Sequence, residues 1–122
     1  MVWRGSLALC LAVLPPLPAS ACDVALMLTI DVSNSVDYAE YRLQVDGLAD
    51  ALADPAIIDA LVAGNSAISV VQWSGIDRQS VTLPWIGIAT SRDVAALSQS
   101  ARLMPRAYIL SGTAPAEAIL FS

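Results

Sequence analysis

Apolar residues run almost unbroken from Val24 to Ile30 and stop at Asp31. A run of that length, rich in Val, Leu, Met and Ile, predicts a strand covered on both faces, as in a parallel sheet. The period then changes. Val36, Tyr41, Val45, Leu48, Ala49 and Leu52 recur at helical intervals, which predicts an amphipathic helix over 36–52. Asn34 or Ser35 offers its N-cap, and Asp37 falls in the positive first turn. Gly47 weakens that helix locally, by about 1 kcal/mol relative to Ala. Asp54-Pro55 is a cap followed by proline at the first helical position, and it opens a short helix that Gly64-Asn65 stops.

Ala67 to Trp73 reads as a second strand. A turn beginning at Ser74-Gly75 leads into Gln79–Trp85, which alternates, with Val81, Leu83 and Trp85 on one face. So short a connection predicts a hairpin, hence an antiparallel pair. Pro84 suits an edge position. Ser91 can cap a helix over Val94, Leu97, Ala101 and Met104, which Pro105 ends. A loop through Ser111-Gly112-Thr113 precedes a last helix from Pro115. Strand, helix, strand, strand, helix and the start of a further helix describe a layered α/β domain.

The first 21 residues stand apart. Arg4, the apolar run Leu7–Leu14 and Ala19-Ser20-Ala21 have the anatomy of a cleavable signal peptide. The run is short, and Pro15, Pro16 and Pro18 break it, which argues against a membrane-spanning helix. Residues 22–122 then form the folded part, with an exported destination, periplasmic or extracellular. Cys10 leaves with the signal peptide, and Cys22 becomes the first mature residue. A free thiol or a disulfide partner elsewhere is the favoured reading of Cys22. Lipidation of Cys22 is the alternative, because Ala19-Ser20-Ala21-Cys22 loosely resembles a lipoprotein cleavage box that usually has Leu where Ala19 stands.

Composition narrows the function. The chain is 57% hydrophobic and 14% charged, too apolar for disorder and rich in core relative to surface. Net charge is −5, and loss of Arg4 makes the mature part more acidic still. It contains no Lys and no His. Phosphate-backbone binding needs a basic surface, so nucleic acid is excluded as a partner. The usual general base and the usual zinc ligand are missing with histidine.

One constellation carries chemistry. Asp31-Val32-Ser33-Asn34-Ser35 follows the buried strand and precedes a helix, where open α/β sheets bind ligands. Alternation turns Asp31, Ser33 and Ser35 the same way. One carboxylate and two hydroxyls are hard donors suited to Mg²⁺, Mn²⁺ or Ca²⁺. Taken alone the pentapeptide is weak evidence, since Ser and Asn cap helices everywhere. Trp73 and Trp85 are better explained by a hairpin packed on a helix than by a ligand groove, and Tyr38 and Tyr41 by cover for the first helix. Asp37, Asp46, Asp50 and Asp54 read as solvated positions.

Asp-x-Ser-x-Ser after an apolar strand resembles the metal-ion-dependent adhesion site of von Willebrand factor A domains. The surrounding Val36-Asp37, Glu40-Tyr41 and Trp73-Ser74-Gly75 resemble an uncharacterised bacterial family of exported proteins of that kind, domain of unknown function 1194. The resemblance covers Asp23–Ser122. It implies a Rossmann-like, three-layer α/β/α fold, truncated after about three strands. It also implies that Thr113, just before a helix, completes the metal site. The family's second Asp, in an Asp-Gly turn after a fourth strand, has no counterpart here. The implied strand order puts the first strand beside a fourth, so that 24–30 presents an unpaired apolar edge and residues 22–122 made alone are poorly soluble.

Three functions compete. The first is a binding module whose cation bridges to an acidic group on a protein partner. The second is a metal-dependent hydrolase or phosphatase, for which Ser33 stands where Asp-x-Asp enzymes need a second carboxylate. The third is a truncated fragment without a function of its own. The first is the expected one.

Overall fold

The computed structural model describes residues 22–110 and 112–122. The signal-peptide reading of residues 1–21 and the expectations for Cys10 and Ser111 lie outside them.

Strand β1 spans Ala25–Asp31, and helices α1 (Tyr38–Ala51) and α2 (Pro55–Ala63) cross over to β2 (Ala67–Trp73). A hairpin leads to β3 (Gln79–Gly87), and α3 (Ser91–Arg102) and α4 (Pro115–Phe121) follow. The sheet order is β1-β2-β3, with β1 parallel and β3 antiparallel to β2. The result is an α/β arrangement around a three-stranded mixed sheet, layered as the element order implied and Rossmann-like as the resemblance implied.

The core lies between one face of the sheet and α1, α2 and α3. Ile68 of β2, Ala49 of α1 with its C-cap Leu52, and Val94, Leu97 and Ala101 of α3 belong to one cluster. Ile30, Val32, Tyr41, Val45, Val70 and Met104 form a second, nearer the carboxyl ends of the parallel strands. Burial at roughly 25 cal/mol per Å² of apolar surface is the main stabilising contribution of both. Helices α1 and α3 are also tied together on the outside. Arg42 and Arg102 both reach Asp46, and Arg102 also pairs with Asp50. These pairs are solvent-exposed, so each adds at most about 1 kcal/mol. The bond from Ser98 Oγ to the Ala49 carbonyl, 2.7 Å long, adds a direct tie.

Four local expectations are corrected. First, β2 is the strand covered on both faces, with Ile68 to Gln72 all buried. β1 pairs only with β2 among the described residues, and Val24 and Leu26 are 49% and 38% exposed. Its apolar run reported strand formation correctly, but burial depends on neighbours the run itself does not supply. Second, neither Asn34 nor Ser35 caps α1. The cap is Asp37, which accepts from the Glu40 amide while the Glu40 carboxylate accepts from the Asp37 amide, a reciprocal capping box. Asp54 caps α2 as expected, accepting the Ala56 and Ile57 amides without a reciprocal partner. Third, Thr90 rather than Ser91 caps α3, in a box with Asp93. Fourth, two register shifts break the alternation of β3. Val81 and Trp85 are about half exposed as a result, while Leu83 packs into both core clusters. Trp85 therefore does not pack under the hairpin.

The capping box of α3 has a pH signature. The Thr90 hydroxyl, then the amides of Thr90 and Ala89, hold the Asp93 carboxyl below its ordinary value. A depressed folded-state value contributes stability above the unfolded carboxyl's value and loses it as pH falls through the folded one. Asp93→Asn should therefore melt lower than wild type at about pH 6, and the gap should narrow as pH drops to about 3. A gap constant over that range contradicts this assignment.

Candidate cation site at the carboxyl end of the sheet

Strands β1 and β2 run parallel, so their carboxyl ends emerge together, with Asp31 opposite Trp73. The chain leaves β1 through a bond from the Val32 amide to the Trp73 carbonyl, 2.9 Å long. It then turns sharply. Asp31 Oδ1 accepts the Ser33 amide at 2.7 Å, an Asx turn, and the Val36 amide closes on the Ser33 carbonyl at 3.0 Å. Val32 points into the core. Ser33 is fully buried, whereas Asn34 and Ser35 are exposed. Ser33 Oγ and Ser35 Oγ lie 3.0 Å apart.

Three of the four predicted ligands are thus bonded neighbours on one turn. Thr113 is on another segment at the same end of the sheet. The Ala114 amide donates to the Ser74 carbonyl at 2.7 Å, and Ser74 Oγ donates to the Gly112 carbonyl at 2.8 Å. Ser74 directly follows β2, so these bonds seat the Thr113 segment on that strand's end. Gly75 allows the close approach, since a Cβ there would lie 3.3 Å from the Gly112 nitrogen. Thr113 itself is exposed. Cys22 is a free, exposed thiol.

The donor chemistry suits a hard cation. An octahedral ion with oxygens at about 2.1 Å places neighbouring ligand oxygens about 3 Å apart, which is the spacing of the two serine hydroxyls. That spacing is also a hydroxyl–hydroxyl hydrogen bond, which an ion would replace. Asp31 gives one oxygen to an amide, and a carboxylate has about four lone-pair sites, so acceptor capacity is left for a cation. Among the described residues no three His, Cys, Asp or Glu side chains cluster. A cation here would therefore rest on one carboxylate plus hydroxyls, and its affinity would be modest.

Of the polar residues that build this region, Arg106 and Gln72 were not singled out in the sequence, and Tyr41 was read only as cover for the first helix. Arg106 donates from one Nη to the carbonyls of Val32, Ser33 and Val36 at 2.9, 2.9 and 2.7 Å, and from Nε to the Tyr108 carbonyl. Gln72, buried in the middle of the sheet, donates to the Pro105 carbonyl and accepts the Ala107 amide. Tyr41 donates to the Met104 carbonyl at 2.8 Å, and burial pushes its phenol above the usual value. It therefore does more than cover the first helix, while Tyr38 is 70% exposed and covers little. Two signals were available: a glutamine inside an apolar strand, and an arginine in an otherwise uncharged loop of a chain with six basic residues.

No helix among the described residues is long and apolar enough to cross a membrane. Neither the curated proteins nor the solved structures contain a significant match to the chain. A family model described as Protein of unknown function (DUF1194) matches residues 21–122, and the chain belongs to that family.

Proposed function

We propose that the protein is an exported, von Willebrand factor A-like binding module that recognises an acidic group on a protein partner through a divalent cation. Asp31, Ser33 and Ser35 hold the ion, and Thr113 joins them from the segment seated on Ser74. Mg²⁺ is the expected ion, with Mn²⁺ or Ca²⁺ as substitutes.

The observation that carries this reading is the 3.0 Å spacing of Ser33 Oγ and Ser35 Oγ beside the Asp31 carboxylate. A divalent ion held there would keep net positive charge, because hydroxyl ligands are neutral, and so would offer an electrophilic position to an outside carboxylate. The protein's own part is to orient the oxygens. Asp31 supplies the charge, the turn places the hydroxyls, and the exposure of Ser35 leaves one side open to a partner. His is absent from the chain and Lys with it, which disfavours acid–base or phosphoryl chemistry at this site.

The test is retention on immobilised peptides rich in Asp and Glu. Binding in millimolar Mg²⁺ and release by EDTA are expected, and retention unaffected by EDTA contradicts the reading. Export is tested separately. The mature protein should begin at Cys22 by mass spectrometry, and a stable product retaining residues 1–21 in the cytoplasm sinks that part.

A further inference from the structure

We infer that Arg106 is a positioning residue for the Asp31–Ser35 turn, setting the path of the backbone that aims the two serine hydroxyls. This rests on the cation reading above.

Within the turn, the Asp31 carboxylate holds the Ser33 amide and the Ser33 carbonyl holds the Val36 amide. Arg106 adds a hold from outside. One Nη donates to the carbonyls of Val32, Ser33 and Val36, its two N–H groups shared among the three. The guanidinium is itself held from behind. Its Nε bonds the Tyr108 carbonyl, and it lies over the Tyr41 ring, 5.9 Å from the centroid. The backbone on either side of Arg106 is fixed by Gln72, through Pro105 and Ala107. Arg106 therefore links a buried residue of β2 to the turn that leaves β1. The 104–114 segment that carries it also carries Thr113.

A cation beside a guanidinium raises an obvious objection, because the two repel. The two effects make opposite predictions. If Arg106 matters only as a charge, Arg106→Lys leaves cation affinity unchanged and Arg106→Gln raises it. If it matters as a multi-donor clamp, both variants weaken binding. A lysine ammonium is a compact point charge that cannot match the fixed fork of a guanidinium.

The experiment measures Mn²⁺ affinity by calorimetry, and amide exchange at Ser33 and Val36, in wild type, Arg106→Lys and Arg106→Gln. Expected are at least a fivefold loss of Mn²⁺ affinity and faster exchange at Val36 in both variants, with Arg106→Lys melting near wild type. In wild-type protein, saturating Mg²⁺ should shift the Arg106 guanidinium N–H resonances, a readout that needs no variant to fold. Wild-type affinity in Arg106→Lys, tighter binding in Arg106→Gln, or guanidinium resonances indifferent to Mg²⁺ overturns the role of Arg106 alone. Wild-type protein that binds neither ion overturns the cation reading and this inference together.

Discussion

Replacing Asp31 with alanine should reduce Mn²⁺ binding at least tenfold while leaving the thermal melt close to wild type. Asp31 is the one carboxylate of the turn, so the replacement removes the charge that offsets the desolvation of a divalent ion. The fold depends on it far less. Asp31 ends β1 and is only half-buried, and the strand's pairing with β2 uses backbone groups. What the fold loses is the acceptor of the Ser33 amide, a hydrogen bond worth about 1 kcal/mol. Calorimetry on wild type and Asp31→Ala measures the first effect, and a melt measures the second. Equal Mn²⁺ affinity would remove Asp31 from the site. A collapse of the melt would make it a structural residue whose Asx turn is its purpose.

Gln72→Leu should cost more stability than Asp31→Ala does, about 1–3 kcal/mol. Leucine is of similar length and suits the apolar surroundings. It leaves the part-buried Pro105 carbonyl and Ala107 amide without their partner, and each lost bond costs about 0.5–1.5 kcal/mol. Tyr41 keeps its bond to Met104 but loses its contact with Gln72 at 3.4 Å. The loss should concentrate in residues 104–108, and hydrogen exchange would locate it there. Denaturant unfolding of Gln72→Leu within 1 kcal/mol of wild type would show that water replaces the side chain at little cost, and that the segment is not held as described.

These two residues mark what the sequence disclosed and what it did not. The turn at Asp31 was legible because the residue ends an apolar run and begins a pattern of alternating oxygens. Both are local facts about neighbouring positions. Most elements were legible for the same reason: the ends of β2 and the start of β3 coincide with turn residues, and Asp54-Pro55 announces α2. Gln72 and Arg106 act across 33 to 74 positions of chain, and no periodicity encodes such distances. The caps of α1 and α3 were misplaced by one to three residues, because several oxygens compete at each helix start. Asp37 and Thr90 are the ones that form reciprocal boxes, with Glu40 and Asp93. The apolar run of β1 alone pointed to cover on both faces, whereas the edge position that the resemblance implied is the one β1 has among the described residues, because burial is set by which strands lie alongside. The alternation assigned to β3 failed at its register shifts, which move Trp85 outward without any mark in the hydrophobic pattern.

Whether Asp31, Ser33 and Ser35 hold a divalent cation is tested by an anomalous difference map from crystals grown in MnCl₂. A peak is expected at about 2.1 Å from both Ser33 Oγ and Ser35 Oγ, within bonding reach of the Asp31 carboxylate. A turn with the two hydroxyls still bonded to each other, and Mn²⁺ absent or bound elsewhere, would contradict it.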